Sequence, residues 1–120
     1  MNGSAKQIEW ATSIKANMMA EIDRLRELFN STDTFDRYVR LHSKNADAET
    51  VASSKREFTI GLAILAAAEM AINDTIEAGW FIDNRKASVI GSLHRKAIRQ
   101  IEAEFNCDAH IVWMALGSCR

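Results

Sequence analysis

Proline is missing from the whole chain of 120 residues, where a usage of about 5% is ordinary. No helix is interrupted by a lost N–H, and β-turns lack their commonest rigid residue. Together with the abundance of alanine, this predicts an all-α fold. Cysteine is nearly missing too: Cys107 and Cys119 are the only two, too few for a disulfide scaffold. The amino terminus is polar and has no apolar h-region. The expectation is a cytoplasmic chain with free thiols, a Cys107–Cys119 bridge being disfavoured in a reducing compartment. Net charge is close to zero, at −1. That excludes a global field drawing the chain to nucleic acid, and it excludes an acidic mimic of DNA. G-x-S-x-G, P-loop and dinucleotide fingerprints are absent, as are internal repeats and low-complexity linkers. A single domain over residues 1–120 is expected, long enough to bury roughly two thirds of the unfolded chain's surface.

The longest apolar run is Phe58–Ile72, FTIGLAILAAAEMAI. It is too short to span a membrane, which takes about 20 apolar residues, so no membrane partner is expected. At about 100° per residue, Val51, Phe58, Leu65 and Ile72 form one helical stripe, with Leu62 and Ile76 beside them. Ile60, Ile64, Ala67 and Ala71 form a second stripe on the opposite side. A helix apolar on two sides is buried by its own fold or by a partner. The second side therefore raises a homodimer, or else a monomer in which the segments 75–85 and 88–105 cover it. One charge, Glu69, falls inside the first stripe. Either a basic side chain neutralises it or the helix turns it outward, or it is a buried carboxylate with a raised pKa and a functional role. Arg85 is the expected neutralising partner, with Lys55 and Arg56 further off.

Around this run the chain reads as helices. Ser4-Ala5-Lys6-Gln7 is a capping box, and a stripe from Ile8 through Ile14, Ile22 and Leu25 to Phe29 predicts a long first helix. A turn at 30–34 precedes a short helix over about 35–42. A second break, 43–47, precedes the helix that carries the central run. Asp74-Thr75-Ile76-Glu77 is another capping-box pattern and predicts a helix from Thr75 to about residue 85. Ser88 is expected to start a helix reaching Phe105. The tail from Asp108 reads equally as a short helix or a strand. The whole predicts a bundle of four to six helices with a long amino-terminal helix and a central apolar one.

Few residues carry recognisable chemistry. Cys107 and His110 have a C-x-x-H spacing, but a structural zinc site needs four ligands. No metal or other cofactor is expected. The stretch 85–99 is the most basic: Arg85, Lys86, Arg95, Lys96 and Arg99, with His94. It is either a surface that meets phosphates or another anionic partner, or an ordinary solvated face paired with Glu102 and Glu104. Trp10, Trp80 and Trp113 suit cores and interfaces alike; at least two are expected in the core.

Two segments carry a family resemblance. Gly3-Ser4-Ala5-Lys6-Gln7-Ile8-Glu9-Trp10-Ala11 resembles the Gly-Ser/Thr-x-Lys-Gln-Ile-x-Trp-Ala opening of a loose group of small phage and mobile-element proteins. Trp80-Phe81-Ile82-Asp83-Asn84-Arg85 is similar to their later Trp-x-Ile-Asp-Asn-Arg segment. The resemblance covers about 15 residues. It implies an origin in a phage or integrated element expressed in the bacterial cytoplasm, and it transfers no catalytic residues. The resulting expectation is a non-enzymatic binding protein whose partner is a host protein or ribonucleoprotein. Its most concrete form is an inhibitor of host defence, of the anti-CRISPR type, acting by steric blocking. The alternatives are a DNA-binding accessory protein using the basic helix face, and a small enzyme using Glu69 or Cys107.

Overall fold

The first helix starts where the capping box lies. In the computed structural model, which describes residues 1–120, the Gln7 N–H donates to Ser4 Oγ at 3.2 Å and the Ser4 N–H to Gln7 Oε1 at 2.9 Å. This satisfies two of the amides that a helix start leaves open. Helix α1 then runs over Ala5–Asn30. Ser31 ends it and caps the next, accepting the Thr34 N–H at 3.3 Å, so α2 spans Thr32–His42. Asp47 caps α3, which spans Ala48–Asp74. There follow α4 over Ala78–Asp83, a 3-10 turn at Ile90–Ser92, α5 over Arg95–Phe105, and α6 over Ala109–Ala115 with a closing 3-10 turn. The fold is an all-α helical bundle, and no helix is long and apolar enough to cross a membrane.

Helix α3 is the axis. It runs back along α1, so that Gly61 meets Phe29 and Glu69 meets Arg26. Helices α2, α5 and α6 also pack on it, and α4 packs chiefly on α1. Phe58, Leu65 and Ile72 of the first stripe are buried, as are Ile60 and Ile64 of the second, the last two at 0% exposure. The chain's own helices cover Ile60 and Ile64 of the second stripe, while its Ala67 and Ala71 are half-buried. Ile76, expected beside the first stripe, is 60% exposed because α3 stops at Asp74. At the α2 end the core is aromatic. Phe58 touches Phe29, Phe35 and Tyr38 at centroid distances of 5.6, 5.3 and 5.2 Å, and Trp113 stands edge-on to Phe29 at 5.9 Å.

Two expected helices take a different form. The Asp74–Glu77 capping box does not open a helix. Thr75 instead caps the end of α3, its hydroxyl donating to the Ala71 carbonyl at 2.6 Å. Ile76 and Glu77 are extended, because they pair with Asn2: the Ala78 N–H donates to the Asn2 carbonyl at 2.8 Å, and the Asn2 side chain donates to Glu77. Gly3 sits beside this bridge at φ +147°, where a Cβ would lie 3.0 Å from that of Ala78. The helix expected over 88–105 is broken at Gly91-Ser92, two weak helix formers. Ser88 Oγ accepts the Gly91 N–H, Ser92 Oγ donates to the Val89 carbonyl, and Leu93 is extended and buried. Helix α5 restarts only at Arg95. Asn106, at φ 50°, closes it in the left-handed conformation that Asn tolerates. The tail is helical: Asp108 accepts the Ile111 N–H at 3.1 Å and caps α6.

Gly61 marks a close approach of α3 to its neighbours. A Cβ there would come within 2.7 Å of Leu116 Cδ1 and 3.2 Å of the Phe29 ring. Gly61→Ala therefore overpacks the bundle despite alanine's better helix propensity. It is expected to lower stability by about 1–3 kcal/mol, read from the urea midpoint. A stability gain would mean that the helices part freely here.

Candidate functional site

Breaking the 88–105 helix divides the basic stretch. Arg85 and Lys86 lie on the turn after α4, whereas Arg95, Lys96 and Arg99 lie on α5. At spacings of three and four, the α5 cations share one face. The opposite face carries Ile98, Ile101 and Phe105 toward the core. All five basic residues are exposed, and none forms an ion pair. The expected pairing with Glu102 and Glu104 is not made. Glu102 turns the other way and accepts the Ala109 N–H at 2.9 Å, joining α5 to α6. The first turn of α5 has no acid, so Arg95 and Lys96 sit at the positive end of the helix dipole. The Lys96 N–H donates to His94 Nδ1 at 3.1 Å.

Arg85 does not neutralise Glu69. Its guanidinium stacks over Trp10, 5.2 Å from the ring centroid, and donates to the Ile82 carbonyl at 2.5 Å. Trp10 is 49% exposed, while Trp80 is half-buried and Trp113 is fully in the core. The stacking brings together the two segments that carry the family resemblance: α1 and α4 meet side by side, with Arg85 closing over Trp10. Glu69 is paired with Arg26 of α1, which also holds Asp23. The reason is register. Antiparallel packing sets Arg26 opposite Glu69, at the edge of the α1–α3 contact, where both side chains remain about one third exposed. Glu69 is thus an ion-paired carboxylate at the rim of the helix contact.

Beside Arg85 a cleft of ≈ 550 Å³ opens between α1, the end of α3 and the segment 85–92, with Arg120 at its other end. Its floor is aliphatic, built largely from Met18, Ile22, Leu25 and Ile72. None of Arg95, Lys96 and Arg99 lines it. Inside the cleft Glu21 is held by Arg24 through two hydrogen bonds, of 3.0 and 2.6 Å. These bonds pull its carboxyl below the ordinary range. Arg120 stacks on Trp113 at 4.6 Å and donates to that residue's carbonyl at 3.1 Å. Burial lowers its guanidinium's pKa.

Cys107 and Cys119 are free thiols, both half-buried. Burial pushes the pKa of each up, which leaves less thiolate at neutral pH. No three His, Cys, Asp or Glu side chains come together to hold a metal ion. Arg56 reaches the Phe105 and Asn106 carbonyls at the end of α5. Sequence reasoning missed the pairing of the buried Tyr38, whose hydroxyl donates to Glu57 from the facing helix. The α2–α3 crossing alone places them together, so no sequence spacing signals the pair. Neither a scan of protein-family models nor searches of curated proteins and of solved structures gives a match.

Burial, and then the hydrogen bond to Glu57, pushes the Tyr38 phenol far above its ordinary value, which is about 10 when unfolded. A raised acid contributes stability that is complete below the unfolded pKa and is lost as pH rises beyond it. Tyr38 is the only tyrosine, so the phenolate band of the ultraviolet difference spectrum reports it alone. Phenolate is expected to appear only as the helical signal collapses, above about pH 10. A phenolate transition in a still-helical protein would contradict this.

Proposed function

We propose that this chain is a non-enzymatic binding protein of phage or mobile-element origin that occupies an anionic surface of a host macromolecular complex. In its most concrete form it inhibits a defence ribonucleoprotein, in the anti-CRISPR manner, by steric blocking. The observation that carries this reading is the α5 face. Arg95, Lys96 and Arg99 are exposed, free of ion pairs and gathered on one side. Several other charges are engaged within the fold: Glu69 with Arg26, Glu21 with Arg24, Glu57 with Tyr38, Arg56 on the end of α5. Arg95 and Lys96 also oppose the dipole of their own helix, at a cost of roughly 0.3–1 kcal/mol each. An anionic partner would reverse that cost. The two resemblance segments, joined at Trp10 and Arg85, favour a shared scaffold with that group of proteins and support the origin. The cytoplasm of the bacterial host is the compartment this reading requires.

A DNA-binding accessory protein would use the same face. With three to five phosphate contacts its affinity would fall steeply with salt, whereas an inhibitor directed at a complex binds that complex in preference to naked DNA.

The test is restoration of phage plaquing in bacterial strains whose CRISPR systems restrict that phage. The chain is expected to restore plaquing by at least about tenfold, and Arg95→Glu/Lys96→Glu/Arg99→Glu to abolish this with unchanged helicity and melting temperature; a face worth three charge contacts accounts for such a loss. Full activity of the triple variant would remove the α5 face from the mechanism. A gel shift on duplex DNA alone at low salt, with no protection of phage, would favour the accessory-protein reading.

A further inference from the structure

The cleft beside Arg85 has the composition of a receptor for one kind of molecule. Its ≈ 550 Å³ falls within the usual range of small-molecule sites, about 300–1,000 Å³. Isoleucine, methionine, leucine, alanine and valine form the apolar lining, and no aromatic ring is among the lining residues. Nothing there stacks a nucleobase or an aryl group, so the surface suits a flexible aliphatic chain. The charges are arranged for an anion. Arg85 and Lys86 stand at one end with Ser88 between them and Val89, and no carboxylate lines that end. At the other end Arg120 shares its surroundings with Arg24 and Glu21, so positive charge there is partly cancelled. Each arginine is fixed by a tryptophan ring and a backbone carbonyl. Neither forms an ion pair, and these contacts set both in place before any ligand arrives.

We propose that the cleft binds a single-chain aliphatic anion of the fatty-carboxylate class, its head group between Arg85 and Lys86 and its chain along Met18, Ile22 and Leu25. The head belongs at the Arg85 end because that end carries two uncancelled cations. From Ile14 to Leu25 the α1 wall is twelve residues, about 16 Å from first to last, enough for a chain of about ten to twelve carbons. This site is separate from the α5 face, and it stands whether or not the chain inhibits a host complex.

The probe is sodium dodecanoate below its micelle concentration, titrated into the full chain by calorimetry and by amide NMR. One molecule is expected to bind per chain, with shifts confined to α1 residues 14–25, the end of α3 and the segment 85–92. Arg85→Glu/Lys86→Glu should weaken binding at least about tenfold, a loss of about 1.4 kcal/mol, while Arg120→Glu costs less than about threefold. Met18→Trp, which fills the cleft without changing charge, should abolish binding, and it answers the question even if the double variant folds poorly. Dodecyltrimethylammonium, with the same chain and the opposite head, should not bind. Arg95→Glu/Lys96→Glu/Arg99→Glu should leave dodecanoate binding intact, which keeps this site's failure distinct from failure of the inhibitor reading. Equal binding of the cationic amphiphile, or full affinity in either cleft variant, would overturn the proposal. So would binding to phosphatidylglycerol vesicles with none to dodecanoate, since that outcome identifies a membrane surface.

Discussion

Helix α3 must be dry on two sides, and the rest of the fold follows from that demand. A single surface helix needs one neighbour. This one has a stripe at Phe58, Leu65 and Ile72 and another at Ile60 and Ile64, all nearly inaccessible. In 120 residues the covering can be done only by wrapping. Helices α1 and α2 pack on α3 from the earlier part of the chain, and α5, α6 and the 3-10 turn from the later part. Small residues let the neighbours come close: at Gly61 there is no room even for a methyl group. The result is a slab of 56 × 28 × 17 Å. Its thinnest dimension is under two helix diameters, so each outer helix keeps one face in water.

That geometry explains how the polar residues divide. Those near a helix crossing or a helix end are recruited to it: Glu69 and Arg26 seal the α1–α3 edge, Tyr38 and Glu57 join α2 to α3, and Glu102 and Arg56 tie α5 to its neighbours. Residues on the wet faces have no such duty. The cations of α5 and those around the cleft are among them, and they lie on different elements. A chain with almost no net charge thus presents two local positive regions. One lies on an open helix face suited to an extended anionic surface. The other guards an aliphatic hollow suited to a small molecule.

Much of the fold was legible because caps and stripes are local. Ser4 and Asp47 each mark a helix start that the structure reproduces, and the α1 stripe needs only its own sequence, whereas the tail from Asp108 reads equally as helix or strand until its cap is seen. Several of the failures come from competition by a distant segment. Asp74–Glu77 has the composition of a capping box, but the strand-like pairing of residues 76–78 with Asn2 takes those backbone groups first. Ser88–Phe105 has a helical stripe, but Gly91-Ser92 yields to the burial of Ile90 and Leu93. Arg85 was the expected partner of Glu69, yet it lies against Trp10, because helix register and not chain proximity selects the pair. Of the candidate site, the cations were visible in sequence. Their separation into two regions was not, nor was the cleft, since both depend on where the chain turns after α4.

The Asn2–Glu77 bridge has a further consequence for how the molecule is made. It joins residues 75 positions apart, so its closure costs more chain entropy than any cap or helical turn. During synthesis α1 emerges first, yet α4, its most extensive neighbour, cannot meet it until residue 83 has left the ribosome. Until then the side of α1 that α4 covers stands open to water. Assembly of the amino-terminal layer is a late event in a chain whose beginning is its oldest part.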